Sequence, residues 1–278
     1  MSGYFEPDST IRRIGRESVL MLGGGRALLL QAAHPLVAAG IVDHSDYATD
    51  PWRRLGRTLH ALYTVVFGTR AEADAAGRRV QAAHRRVHGT LSETTGVFPA
   101  GTRYSATDPE LQLWVHSTLV TTGIAMYETY VGPLSPDDRE AFYAEMNVVA
   151  NVFGVPAAAL PNTLAELHEY ERRLFDDGVL CVTASARKVA QTILSPPVPV
   201  PLRPPLVALA RANVGLLPEA LRAQYGLRWT RLDAVGLAGS ARAARALLPL
   251  APAPLRSIKR AGDRRNGLAL ALLGLATR

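Results

Sequence analysis

Apolar residues recur at three- and four-residue spacing along most of the chain. From Arg70 to His88 the positions Val80, Ala83 and Val87 fall on one face, with arginines between them. That pattern predicts an amphipathic helix. From Asp108 to Val131 the same spacing runs through Leu111, Val115, Thr118, Leu119, Thr122 and Met126. Asp108-Pro109-Glu110 supplies its start: an acid to accept free amides, a proline in the first turn, and a second acid near the positive helix end. Ser135-Pro136-Asp137-Asp138 repeats this logic for a helix running to about Phe153, and Gly154-Val155-Pro156 stops it. Pro161-Asn162-Thr163 opens a further helix through Phe175.

No alternating apolar–polar run is bounded by hairpin turns, so the expected fold class is all-α. The proline-rich stretch from Ser195 to Pro205 predicts an extended connector. Leu206 to Tyr225 reads as helix again. From Ala234 to Arg278 the chain is rich in Ala, Leu and Arg with proline breaks, which predicts amphipathic helices. We expect residues 1–230 to form one large multi-helix domain and residues 231–278 a C-terminal helical extension packed on it.

Charge changes the picture less than it first suggests. The chain of 278 residues carries 31 Lys and Arg against 24 Asp and Glu, a net charge of +7, which invites a nucleic-acid reading. Lys188 and Lys259 are the only lysines, and no long basic block occurs, so nucleic acid is not the expected partner. The single cysteine, Cys181, excludes an internal disulfide and any thiolate cluster. Arg12-Arg13 before the apolar stretch Ser18 to Leu30 has the outline of an export signal, but Gly23-Gly24-Gly25 and Arg26 interrupt it. Extended through Val42 the stretch nears bilayer length, yet Arg26, Gln31, His34 and Pro35 would be costly in lipid. The run Gly267 to Ala276 is too short to span. The expectation is a cytoplasmic protein with no transmembrane segment. Peripheral membrane contact through the apolar, basic C-terminus stays open.

Several familiar sites are missing. There is no P-loop, no His-Glu-x-x-His, no Glu-x-x-His pair for a di-iron bundle and no Gly-x-Ser-x-Gly elbow. The glycines at 23–25 follow no strand, which argues against a dinucleotide site. What remains is a set of seven histidines. His34 sits in an apolar run before Pro35, where a polar group needs a partner. His44 lies between Asp43 and Ser45-Asp46. His84 and His88 are one helical turn apart, a weak metal pair with no acid to complete it. His116 interrupts the apolar helix Trp114-Val115-His116. Any one of them is most simply a hydrogen-bonded core or surface residue. Arg54 and Arg57 in Arg53-Arg54-Leu55-Gly56-Arg57-Thr58 could face solvent or an anionic or oxygen ligand. Inward histidines, small residues and arginines in an all-α chain together suit a haem pocket.

The residues also carry a resemblance. The series Leu30-Gln31-Ala32-Ala33-His34-Pro35, Asp43-His44-Ser45, Arg54-Leu55-Gly56-Arg57-Thr58 and Val66-Phe67-Gly68-Thr69 resembles the catalytic domain shared by rubber oxygenase (latex-clearing protein) and the MpaB oxygenase. So do His84, Gly89-Thr90, Asp108-Pro109 and Trp114-Val115-His116 further on, and Gly154-Val155-Pro156 and Tyr225-Gly226-Leu227 beyond those. The match runs from about residue 15 to 230 and is closest to the small bacterial members. It implies an all-helical fold around haem b, with iron held by a proximal histidine and dioxygen used to cleave a carbon–carbon double bond of a polyisoprenoid. Arg54-Leu55-Gly56-Arg57-Thr58 matches the family's Arg-x-x-Lys-Thr motif, and the resemblance places Arg54, Arg57 and Thr58 on the distal side as catalytic residues. His84 is the expected iron ligand, with His88 its rival, and His34, His44, His116 and Arg54 join it as cofactor-binding candidates.

One departure matters. Arg57 stands where rubber oxygenases carry a lysine that can cap the iron, and a guanidinium that stays protonated is a poor ligand. The sixth position is then open, water-filled, or taken by His34 or His116. A small apolar substrate, isoprenoid or other alkene, fits better than polymeric rubber, and the reaction class admits a reductase partner. Two further readings compete: a non-catalytic haem-binding or electron-transfer protein, and an α-helical small-molecule or lipid-binding protein that lacks haem.

Overall fold

The structure is a computed structural model. It describes residues 2–44, 51–195, 203–252 and 256–257. Ser45 to Asp50, most of the proline-rich connector and the run Gly267 to Ala276 lie outside the described residues.

The all-α expectation holds. Among the described residues there are twelve α-helices and one two-stranded sheet. Four helices occupy the first 67 residues: α1 (Thr10–Gly15), α2 (Gly24–Ala32), α3 (Pro35–His44) and α4 (Pro51–Phe67). The apolar stretch that nears bilayer length is not one span. Ser18–Ala32 and Pro35–His44 meet at 113°, and no single described helix is long and apolar enough to cross a membrane. Pro35, which lacks an amide hydrogen, marks the break.

α5 (Arg70–His84) folds back against α4. Its start is a capping box: the Thr69 hydroxyl accepts from the Glu72 amide while the Glu72 carboxylate accepts from the Thr69 amide. α6 (Pro109–Tyr130) is the central helix, buried on nearly every side and packed against α2 and α7 (Pro136–Phe153). Its N-cap is Asp108, whose carboxylate accepts from the Glu110 amide at 3.0 Å. Ser135 caps α7, and Gly154, at φ 104°, closes it in the left-handed conformation. α8 (Leu164–Asp176) starts from Thr163, and α9 (Ala184–Leu194) follows it. Ile11, Ile14, Leu29, Val65, Trp114 and Tyr143 belong to the main core.

Four expectations are corrected. The helix predicted to reach His88 ends at His84, and the chain then enters β1 (His88–Thr90), antiparallel to β2 (Arg103–Ser105). Three-residue strands are too short to leave an alternating pattern, so no hairpin signal preceded them. Gly89 is required there, because a Cβ would lie 2.5 Å from the Tyr104 hydroxyl. The predicted helix from Leu206 to Tyr225 is two, α10 (Arg203–Gly215) and α11 (Glu219–Tyr225), since Pro218 cannot continue an α-helical ladder. α10 also takes in Pro204-Pro205, which belong to its first turn rather than to the connector. α12 (Arg231–Leu247) begins three residues earlier than its apolar pattern suggested, at a capping box of Thr230 and Asp233.

The α4–α5 hairpin docks on α7 through Gly77. A Cβ there would sit 2.4 Å from the Val152 carbonyl oxygen, which is backbone and cannot swing away. Gly77→Ala is therefore expected to destabilise by about 2 kcal/mol, the overpacking cost exceeding the roughly 1 kcal/mol that alanine gains in helix propensity. A urea midpoint equal to or above that of the parent protein would show that the hairpin can shift to admit the methyl group.

Candidate functional site

Local geometry explains how each candidate is held. His34 lies in the corner between α2 and α3, where its carbonyl accepts the Ala38 amide at 2.9 Å. Its side chain is 5 % exposed and its ring lies 5.4 Å from that of Phe98. Burial pushes the imidazole pKa down to about 4, so the ring is neutral near pH 7. Its Nδ1 is buried with no hydrogen-bond partner. His84 is the last residue of α5. Burial lowers its pKa as well, and its Nδ1 is likewise buried and unpartnered.

The antiparallel α4–α5 hairpin brings the first turns of α4 to the end of α5 that carries His84. Arg54 belongs to those first turns. Burial, reinforced by the neighbouring charge of Arg57, lowers its pKa. α3 passes this same end of α5: Val87, three residues after His84, lies 3.4 Å from where a Cβ of Gly40 would stand. The α4 start and the α5 end thus form one neighbourhood, bordered by the start of α2, where a Cβ on Gly24 would lie 2.8 Å from Leu55; His34 sits at the opposite end of α2.

The other candidates stand apart. Arg57 and Thr58 are exposed, and the Thr58 hydroxyl donates to the Arg54 carbonyl at 3.1 Å. His88 is exposed on β1. His44 Nε2 is 2.9 Å from the His88 carbonyl oxygen, and its ring meets that of Tyr104 edge-on at 6.3 Å. Tyr104 in turn donates to the Asp43 carboxylate, so His44 closes a polar cluster over the β-hairpin. His116 is buried between α6 and α7, with Nε2 2.9 Å from the Asn147 side-chain oxygen. Burial pushes its pKa down to about 4 despite that hydrogen bond.

Reading the sequence missed a buried polar seam beside this neighbourhood. Arg26, on α2, donates to the Thr122 hydroxyl at 2.7 Å and to the Leu216 carbonyl at 2.8 Å. Its own amide donates to Asn213 at 2.7 Å. Gln31 donates to the Thr118 hydroxyl at 3.1 Å. On α8, burial pushes Glu171 up to about 7, against the opposing pull of Ser117, Arg26 and Thr121. The available signal was Arg26 inside an apolar run, together with hydroxyls at 117, 118, 121 and 122 in α6.

Two open clefts accompany the fold. One, of about 630 Å³, lies between α6 and α8 and is lined by Glu110, Tyr170 and Arg173 among others. A second, of about 400 Å³, lies between α12 and the Trp229 side chain. Neither is lined by a candidate histidine.

The chemistry of the donors can be tested against a metal. Among the described residues no group of three or more His, Cys, Asp or Glu side chains could hold an ion unaided. A single neutral imidazole with a free ring nitrogen is the form that binds an iron whose other ligands come from a porphyrin. The half-buried Arg54 guanidinium, at the start of α4, suits a propionate. The residues fit such a group.

Residues 11–246 match the family described as the catalytic domain of the ER-bound oxygenase mpaB/B' and rubber oxygenase, and the chain belongs to that family. It carries an oxygenase catalytic domain. Uncharacterised proteins of Mycobacterium tuberculosis and Mycobacterium bovis are each 28% identical to it over 214 residues, covering 73% of this chain and 79% of theirs. No solved structure matches it.

Proposed function

We propose that the protein is a haem b-dependent oxygenase acting on a small apolar alkene, with His84 as the proximal iron ligand. The observation that carries this reading is the unpartnered Nδ1 of His84, buried at the end of α5 beside the start of α4. His88, exposed and on the β-hairpin, has no comparable burial. Bound haem would supply dioxygen binding and oxidation, which no side chain of the chain can perform alone. Arg54 would balance the charge of a propionate or orient a polar oxygen. Arg57 and Thr58, one turn on, complete the family motif and would act at the rim of the site. The apolar core around α3 and α6 would exclude water from the substrate. His34 motivates a second reading, a non-catalytic haem protein, because its buried free nitrogen is the same kind of donor as that of His84.

An absorption spectrum of protein from haem-supplemented cells separates these outcomes. A Soret band that shifts when carbon monoxide is added to the reduced protein is expected, followed by dioxygen-dependent consumption of an isoprenoid alkene. A low-spin spectrum indifferent to carbon monoxide would transfer the assignment to electron transfer. A colourless protein that takes up no added haem would end both readings and leave an α-helical binding domain.

A further inference from the structure

α12 uses only one face to hold its place. Ala241 is buried in a small cluster with Met126 and Tyr130, and Leu237, Ala244 and Leu248 pack against that cluster. The opposite side is apolar as well. Leu232 and Val235 are 83 % and 70 % exposed, and Leu250, just past the helix end, is 80 % exposed. Helical periodicity sets Gly239, Ala243 and Ala246 on the same stripe, all exposed. Nothing lies within 4 Å of a Cβ placed on Gly236 or Gly239. Arg231 and Arg242 border the stripe on one side. A soluble helix normally turns only its polar side outward, and this one turns an apolar stripe outward as well.

Charge bears on what could cover it. Residues 203–278 hold 13 Lys and Arg against 3 Asp and Glu, whereas residues 1–202 hold 18 against 21. The excess of positive charge in the chain therefore lies wholly in the part that presents the stripe. No basic block marks it; the asymmetry comes from the scarcity of acids. A second copy would set two such basic faces against each other. The residues after 257 are themselves basic, with Lys259, Arg260, Arg264 and Arg265 against Asp263. Neither offers the opposite charge. An anionic bilayer surface offers both an apolar layer for the leucines and phosphates for the arginines.

We propose that α12 lies in the plane of an anionic lipid bilayer, inserting Leu232, Val235 and Leu250 with Arg231 and Arg242 at the headgroups. This inference does not depend on haem or on oxygen chemistry. The test is co-sedimentation of the full chain with phosphatidylglycerol–phosphatidylcholine vesicles against phosphatidylcholine alone. Binding to the anionic vesicles only, weakened by salt, is expected. The pair Leu232→Ser, Val235→Ser and the pair Arg231→Gln, Arg242→Gln should each weaken it roughly tenfold or more, with an unchanged melting temperature. If the serine pair melts low, the pair Leu232→Ala, Val235→Ala replaces it. No binding to anionic vesicles, equal binding to neutral ones, or binding untouched by the Leu232 and Val235 changes would overturn the proposal. So would a dimer in sedimentation velocity that the same changes abolish, since the stripe would then face a second copy.

Discussion

His84→Ala is expected to give a folded protein that retains less than about a tenth of the parent's haem, because the variant loses the one axial donor the reading assigns. The backbone should tolerate the change. His84 ends α5, and its Nδ1 contributes no hydrogen bond that the fold would lose. The measurement pairs a pyridine haemochrome assay with far-ultraviolet circular dichroism. His88→Ala provides the comparison: its side chain is exposed, and the partner of His44 is its backbone carbonyl, which the substitution keeps. That variant should hold haem normally. Free imidazole should restore a Soret band to His84→Ala by occupying the vacated position, a rescue that a merely structural histidine would not show. Normal haem content in His84→Ala would remove the proximal assignment and move attention to His34, a buried imidazole whose Nδ1 is likewise unpartnered.

The two histidines also show where sequence reading stops. His84 and His88 share a helical spacing on paper, and only the end of α5 separates them. That end follows from tertiary pairing, since His88 to Thr90 find a partner strand fifteen residues away and the local pattern continues as helix. Helix starts were legible because capping is local: Asp108, Ser135 and Thr163 each accept an amide two or three residues on. The proline signals were legible at Pro109 and Pro136 but not at Pro204, where the same residue type opens a helix instead of extending a linker. The polar seam was illegible for a different reason. Arg26 meets Thr122 and Leu216 across 96 and 190 residues of chain, and no window of sequence contains such a contact. The exposure of Arg57 and Thr58 belongs to the same class, because the motif names residue types and only packing decides which of them turn inward.

Buried titratable groups make acid stability the second strong expectation. His34 and His116 are held near pKa 4 in the fold, against about 6.5 in an unfolded chain. Between those values the unfolded state takes up protons that the folded state refuses, so stability is lost as pH falls from 6.5 to 4. Each histidine contributes up to about 3 kcal/mol to that loss. Glu171 acts in the opposite sense. Its folded pKa of about 7 lies above the ordinary 4.5, so the fold retains a proton that the unfolded chain has released, and stability gained this way grows as pH falls from 7 to 4.5. Two imidazoles oppose one carboxyl, and burial lowers His84 and His168 in the same direction as the two. The net expectation is a loss of about 2 kcal/mol between pH 6.5 and 4.5 from His34, His116 and Glu171, read from urea unfolding of haem-free protein. Glu171→Gln isolates the opposing group. The amide imitates the protonated carboxyl, so the variant should be more stable than the parent above pH 7, where Glu171 ionises in place. That advantage should shrink as pH falls from 7 and vanish only below about pH 4.5, where the unfolded parent carries the proton as well. A stability difference that stays constant across this range would mean that Glu171 ionises as freely in the fold as in water, and that Ser117, Thr121 and Arg26 fully compensate its burial.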